Sequence, residues 1–424
     1  MPPAAFATHK EHETMNMLLS GTEKPVHLTY CLNIHPGESW AEHLQAIRTH
    51  ALAVRRNLGV TAPFGLGLRL GQRAAAELLA GSALAEFGAF LEANGLYVFT
   101  VNAFPYGQFH GIRVKEQVYA PDWRTSERVA YTVAVAEILA RLLPPGLPGS
   151  ISTVPGSYRA WIGGLADERA VLAGLGRAAL ALAELAERTG RGIVLALEPE
   201  PDCLWDSTDG IVELFRRLQD APTLETVAEM AGADPGRLGM ALDRHLGVCV
   251  DTCHLAVGFE DPAAAIRTLV EKGIRIGKIQ VSAAPAGQIT EANLAALEGL
   301  REPVYLHQTR VRHADGRFTA YPDLPEAISA VRRHGSNGEI RTHFHIPLTI
   351  AGWDGMVSTR EQLGRAFFAL LREGSTPHIE LETYTFSVLP AELRGRGVIA
   401  SLVSEFRWFL EMWENAGRTS PATA

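Results

Sequence analysis

At 424 residues the chain could hold two or three average domains, or one α/β barrel with insertions. Lys and Arg number 39 against 47 Asp and Glu, a formal net charge of −8, and no basic run offers a nucleic acid a track. No stretch of about 18 uninterrupted apolar residues occurs, so no membrane span is expected.

Residues 1–24 include His9, Lys10, Glu11 and His12 but no apolar segment of a secretory signal, which reads as a flexible tail. The first strand expected is His27–Ile34, followed by a capping box at Ser39 and Glu42 and an amphipathic helix over about Trp40–Leu58. Strand Phe64–Leu70, an Ala/Leu-rich helix over Gln72–Ala93 and strand Leu96–Asn102 come next. A long aromatic loop, residues 103–122, offers Phe104, Tyr106, Phe109 and His110 as a lid over a site. Helix Thr125–Leu143, strand Ser150–Val154 and a helix over Asp167–Thr189 lead to two apolar strands that close in Glu198-Pro199-Glu200 and in Asp251-Thr252-Cys253-His254. Ile274–Val281 is a seventh strand. The last third is less regular, with strands expected at Val304–Gln308, Glu339–Pro347 and His378–Tyr384, and a helix capped by Ser358 with Glu361. Residues 416–424 read as a second flexible tail, which leaves 25–415 as a single domain.

Continuous apolar strands alternating with helices predict a parallel sheet, and about eight such units point to a (β/α)8 barrel. No GxGxxG follows the first strand and no GxxxxGK[ST] occurs, which disfavours an open dinucleotide-binding or P-loop sheet. The surplus strands of the C-terminal half predict an insertion near the barrel mouth. Cys31, Cys203, Cys249 and Cys253 lack the spacing of a zinc ribbon or a redox dithiol, so reduced thiols in a cytoplasmic protein are expected.

Active sites of α/β barrels lie at the C-terminal ends of the strands. The groups gathered there are Glu198, Glu200, Asp251, His254, Gln280, His343, His345, Glu380 and Glu382. Carboxylates with neutral imidazoles suit Mn, Mg, Zn, Co or Fe(II), and a divalent ion so held polarises a carbonyl or hydroxyl. In His343-x-His345 the two rings would share one strand face. His35, Asn102, His110 and His307 join Glu200, Gln280, His343 and Glu380 as candidate substrate contacts.

Glu198 after an apolar strand, Asp251-Thr252-Cys253-His254-Leu255 after another and a terminal Glu strand resemble the xylose isomerase-like barrels. These include ketose 3-epimerases, hydroxypyruvate isomerase and endonuclease IV. The chain is more specifically similar to the EboE family of metabolite traffic proteins, from residue 26 onward. That likeness is carried by the run from His27 to Trp40, by Ser152-Thr153-Val154-Pro155-Gly156-Ser157-Tyr158, and by Glu380-Leu381-Glu382-Thr383-Tyr384-Thr385. The resemblance implies a metal held by Glu198, Asp251, a His and Glu382, with His254 beside substrate. Gln280 stands where the epimerases place the His, so His345 is the expected replacement.

Two functions follow as expectations. In the first, a metal-dependent isomerase or epimerase acts on a small carbonyl or polyol metabolite of a secondary-metabolite pathway. Glu198 and Glu382 flank the carbon that loses its proton, and His254 assists. In the second, a non-catalytic barrel binds a metabolite and hands it on. A nuclease of the endonuclease IV type ranks third, given the net acidity. Association into a homo-oligomer is left open.

Overall fold

The computed structural model describes residues 18–19, 21–22 and 25–418. Its first eight strands are β1 (Leu18–Leu19), β2 (Val26–Tyr30), β3 (Phe64–Arg69), β4 (Leu96–Asn102), β5 (Gly149–Thr153), β6 (Ile193–Leu197), β7 (Leu246–Asp251) and β8 (Ile276–Val281). Six short strands follow: β9 (Pro285–Gln288), β10 (Thr309–His313), β11 (Phe318–Tyr321), β12 (Gly338–Thr342), β13 (Gly352–Trp353) and β14 (Met356–Ser358). The last is β15 (His378–Leu381).

One sheet runs β1-β2-β15-β8-β7-β6-β5-β4-β3, and a parallel bridge from Cys31 to Gly67 joins the end of β2 to β3. Only β1 is antiparallel in it, so the other eight strands close into a parallel α/β barrel. Their near-continuous burial explains the apolar runs: the outer face is covered by the crossover helices, and the inner face meets the other staves.

The barrel interior also carries charge. Lys278 on β8 and Glu380 on β15 form an ion pair with no exposed side-chain surface. Gly67 makes room for it, since a Cβ there would overlap Glu380 Oε1. Burial alone would lower the Lys278 pKa, but Glu380 more than reverses this and holds the ammonium charged.

The helices follow the expected punctuation with local departures. The Ser39–Glu42 capping box is formed, and Trp40–Leu58 is helical throughout, with a π-turn over Ile47–Ala51. The helix expected over Gln72–Ala93 is two, Gln72–Leu79 and Ala83–Ala93, bent by 91°. Gly81, with φ at +56°, sits in the break. Among the described residues no single helix is long and apolar enough to cross a membrane.

The second sheet, entirely antiparallel, has the order β11-β10-β12-β9-β14-β13 and occupies the chain between β8 and β15. Several expected boundaries fail here. Residues 304–308 are not a strand, and pairing begins at Thr309. β12 stops at Thr342, so His343 and His345 lie in the segment beyond it and do not share a strand face. Ser358 caps only a short 3-10 turn, Thr359–Gln362, and the helix proper is Arg365–Arg372.

Most of the expected N-terminal tail, 1–24, lies outside the described residues, but within it Leu18–Leu19 pairs with β2. Of the expected C-terminal tail, residues 416 and 417 belong to the helix Val398–Gly417, and 419–424 lie outside the described residues.

Candidate metal centre

Three carboxylates converge where the expected strand ends meet. Glu198 follows β6, Asp251 ends β7 and Glu382 follows β15, and an oxygen of each lies within 4.8 Å of the others. All three are buried. Asp251 caps the turn Thr252–Val257: its Oδ1 accepts from the backbone N–H groups of Cys253 (2.7 Å) and His254 (3.1 Å) and from the Ser282 hydroxyl (2.8 Å). Glu382 Oε1 accepts from the amides of Asn33 (2.7 Å) and Asn102 (3.3 Å). One oxygen of each acid, Glu198 Oε2, Asp251 Oδ2 and Glu382 Oε2, is buried with no hydrogen-bond partner. Asp251 and Glu382 are thus each anchored through one oxygen.

Burial raises the Glu198 pKa to about 8, with His254 opposing and Asp251 adding to the rise. Burial, then Glu198 and Asp251, push Glu382 well up. Burial would also raise Asp251, but His254 and His345 outweigh it and hold the group low. Carboxylates this close and this dry cannot all ionise without a cation among them.

Beside them stand three imidazoles. His254 Nε2 lies 3.1 Å from His343 Nε2, which lies 3.1 Å from His345 Nε2. A nitrogen of His254 and one of His345 also lie within 4.8 Å of an Asp251 oxygen, so the imidazole and carboxylate groups share Asp251. The loop beyond β12 delivers His343 and His345 because it is pinned on both sides. His343 N–H donates to Gln308 O at 2.8 Å, and Ile346 bridges to Ala283 just past β8.

A small, partly open cavity of about 50 Å³ lies above this floor. Glu198, Glu200, His254, His343, Glu382 and Asn102 line it. Phe104 and Phe109 of the aromatic loop also line it, and Phe109 packs against Tyr305 and Tyr384. Glu200 accepts from the Tyr119 hydroxyl (2.6 Å) and from Gln308 Nε2 (3.0 Å), and burial raises its pKa against the pull of His254.

Five expected substrate contacts are placed elsewhere. His35 hydrogen-bonds Tyr30 (2.9 Å) and stacks on His50. His110 Nε2 meets the Asn33 carbonyl at 2.8 Å. His307 spans His343 O and Glu302 (2.7 Å each) and so braces the loop from behind. Gln280 Oε1 accepts from Cys249 Sγ inside the barrel, and Glu380 is committed to Lys278. None of the five lines the cavity, because each is taken up by a nearer partner.

Other side chains that shape the site were not singled out: Asn33, Ser282, Gln308 and Tyr384. Asn33 and Gln308 carried the signal that exposed Glu198, a polar residue at the end of an apolar run. Their partners, Glu382 and His343, are far off in sequence, and nothing local distinguishes an amide that positions an acid from one that ends a strand.

No known protein family and no curated protein matches the chain by sequence. Similar solved structures include an L-ribulose 3-epimerase, at 13% identity and TM-score 0.46, with 94% of this chain and 100% of that one covered. The IolI protein with a bound zinc atom is similar at 11% identity and TM-score 0.46, covering 92% and 98%. A xylose isomerase domain protein from Planctomyces limnophilus is similar at 14% identity and TM-score 0.46, covering 86% and 93%. At these identities and scores the likeness carries nothing about chemistry, and the α/β barrel rests on the strand order and closure of this chain.

Proposed function

We propose that the protein is a divalent-metal-dependent enzyme of isomerase or epimerase type that acts on a small carbonyl or polyol metabolite. Glu198, Asp251 and Glu382 hold the ion, with His345 beside them. The observation that carries this reading is the convergence of three buried acids, an oxygen of each within 4.8 Å of the others, each also keeping one buried oxygen without a hydrogen-bond partner. Of the buried cationic groups nearby, Lys278 is spent on Glu380, and His254, whose pKa Asp251, Glu200 and Glu198 raise against burial, stands at the edge of the cluster. The donor set therefore fits a divalent ion, which would polarise a substrate oxygen and so acidify the neighbouring C–H.

Glu198 and Glu382 come from strands on different sides of the barrel and face each other across the cavity floor. That placement suits one acid to take a proton and the other to return it. Asn33 and Asn102 hold Glu382 through its Oε1, and the apolar wall limits the access of bulk water to the exchanging proton. The second sheet serves as an insertion over the barrel mouth that completes the site with His343 and His345. Kinship with the EboE branch of the xylose isomerase-like barrels belongs to the same reading and rests on the motifs quoted above.

Metal analysis of purified protein tests it. Stoichiometric Mn, Zn, Co or Fe that is lost in Asp251→Ala, with substrate-dependent exchange of carbon-bound hydrogen into deuterated solvent across a panel of ketoses and hydroxy-ketoacids, is the expected result. Metal-free protein indifferent to that substitution would overturn the assignment. Metal binding without exchange would favour a binding and hand-on role.

A further inference from the structure

Two amides hold Glu382, and the fold leaves them in different states. Asn33 Nδ2 and Asn102 Nδ2 both donate to Glu382 Oε1, at 2.7 and 3.3 Å. The Asn102 oxygen is used as well, since its Oδ1 accepts from the Phe104 backbone N–H at 3.3 Å. Asn33 is only 2% exposed and lines the cavity, yet its Oδ1 has no hydrogen-bond partner. Turning this amide over would set its oxygen against the carboxylate, so Nδ2 stays on Glu382 and Oδ1 stays an acceptor. The backbone is held too, because the Asn33 carbonyl accepts from His110 Nε2 at 2.8 Å. A buried acceptor so fixed and left unmet is costly unless a ligand meets it.

Side-chain donors of the surrounding residues are already committed. Lys115 Nζ donates to the Tyr305 carbonyl (2.6 Å) and to Asp323 (2.7 Å), and the Tyr119 hydroxyl donates to Glu200 (2.6 Å). The Tyr384 hydroxyl faces His343 Nε2 at 3.3 Å. The group that meets Asn33 must therefore come in with the ligand, and it must donate. A phosphate or carboxylate would bring acceptor oxygens to an amide oxygen with Glu198, Glu200 and Glu382 beside it. Among the described residues that line the cavity, Lys115 alone is a Lys or Arg, and Asp323 neutralises it. A hydroxyl donates through its hydrogen and still accepts through its lone pairs, and a cavity of about 50 Å³ suits a small compound that carries one.

We propose that Asn33 is a specificity residue whose Oδ1 accepts the hydrogen bond of a substrate hydroxyl. The site thereby selects a substrate carrying that hydroxyl over its deoxy analogue and over one with an anionic group in its place. The inference rests on the proposed isomerase or epimerase reading for the role of Glu382, and its test separates the two.

Dihydroxyacetone and hydroxyacetone, which differ by one hydroxyl, are the probes. In full-length protein supplied with Mn(II), binding is read by calorimetric titration, and exchange of carbon-bound hydrogen into deuterated solvent is read separately. Wild type is expected to bind dihydroxyacetone about tenfold more tightly than hydroxyacetone, or better. Asn33→Leu, close in size, should bring that ratio near one. Asn102→Leu also removes a donor to Glu382, and it should weaken both probes alike and keep the ratio. Dihydroxyacetone bound no better than hydroxyacetone by wild type, or a ratio that Asn33→Leu leaves unchanged, overturns the proposal. A ratio lost equally in Asn102→Leu also overturns it, since Asn33 would then only position Glu382. The expected binding ratios with no exchange of either probe leave Asn33 in its role and overturn the isomerase reading instead. Should Asn33→Leu fail to fold, Asn33→Ala is read in its place, and the wild-type preference decides if neither folds.

Discussion

Gly67, Glu380 and Lys278 show how one missing Cβ permits a charge inside a barrel. Glu380 reaches past β2 toward β3, and Gly67 is the position it approaches. Gly67→Ala should therefore displace the carboxylate from Lys278 and destabilise the fold by about 2–4 kcal/mol, combining overpacking with a weakened buried pair. Urea unfolding measures it, and an unchanged midpoint would contradict the packing described. Lys278→Met leaves Glu380 buried without its partner, at a cost of roughly 3–5 kcal/mol. Replacing both, as Lys278→Met with Glu380→Leu, should recover most of that loss. A double-mutant cycle reads the coupling directly, and a double variant as unstable as the single one would mean that the pair does more than neutralise itself.

At the scale of elements, the segment after β12 decides the site and was the hardest to read. Apolar staves ending in an acid identify themselves, so the ring of Glu198, Asp251 and Glu382 could be traced in the sequence. In the sequence Glu339–Pro347 reads as a strand, which would put His343 and His345 on one face. The structure ends the strand at Thr342, and the rings still converge, held by pins from Gln308, His307 and Ala283. Those pins join residues distant in sequence, and no local pattern encodes them. The same limit explains His35 and His110, whose ring nitrogens were available in sequence and are claimed in the fold by Tyr30 and Asn33. Gln308→Leu removes the acceptor that His343 Nδ1 meets at 2.7 Å while preserving bulk. The expected result is a roughly 10–100-fold loss of exchange activity, typical when a hydrogen bond supporting a metal site is removed, with the metal still bound. Loss of the metal as well would show that Gln308 supports the whole floor rather than the imidazoles.

At the scale of the molecule, the C-terminal helix Val398–Gly417 ties the end of the barrel to the chain that leaves the second sheet. Glu405 on this helix is fully buried, and its Oε2 accepts from Leu348 N–H (3.1 Å) and the Thr383 hydroxyl (2.9 Å). One carboxylate therefore spans three regions, and Thr383 neighbours Glu382. Burial raises the Glu405 pKa to about 7, although its hydrogen bonds oppose the rise. In the unfolded chain it titrates near 4.3. The folded state thus holds this proton more tightly, so its contribution to stability is complete below about pH 4 and declines as pH rises through 7. Glu405→Gln keeps an acceptor oxygen and has no proton to lose. The variant should match wild type near pH 5 and exceed it at pH 8 by on the order of 2–3 kcal/mol. Chemical denaturation of the metal-free protein at the two pH values isolates the effect from ion binding. A gap of equal size at both pH values would mean that the substitution acts through packing, and a wild type steadier at pH 8 than the variant would mean that Glu405 is ionised in the fold and stabilised there by a cation.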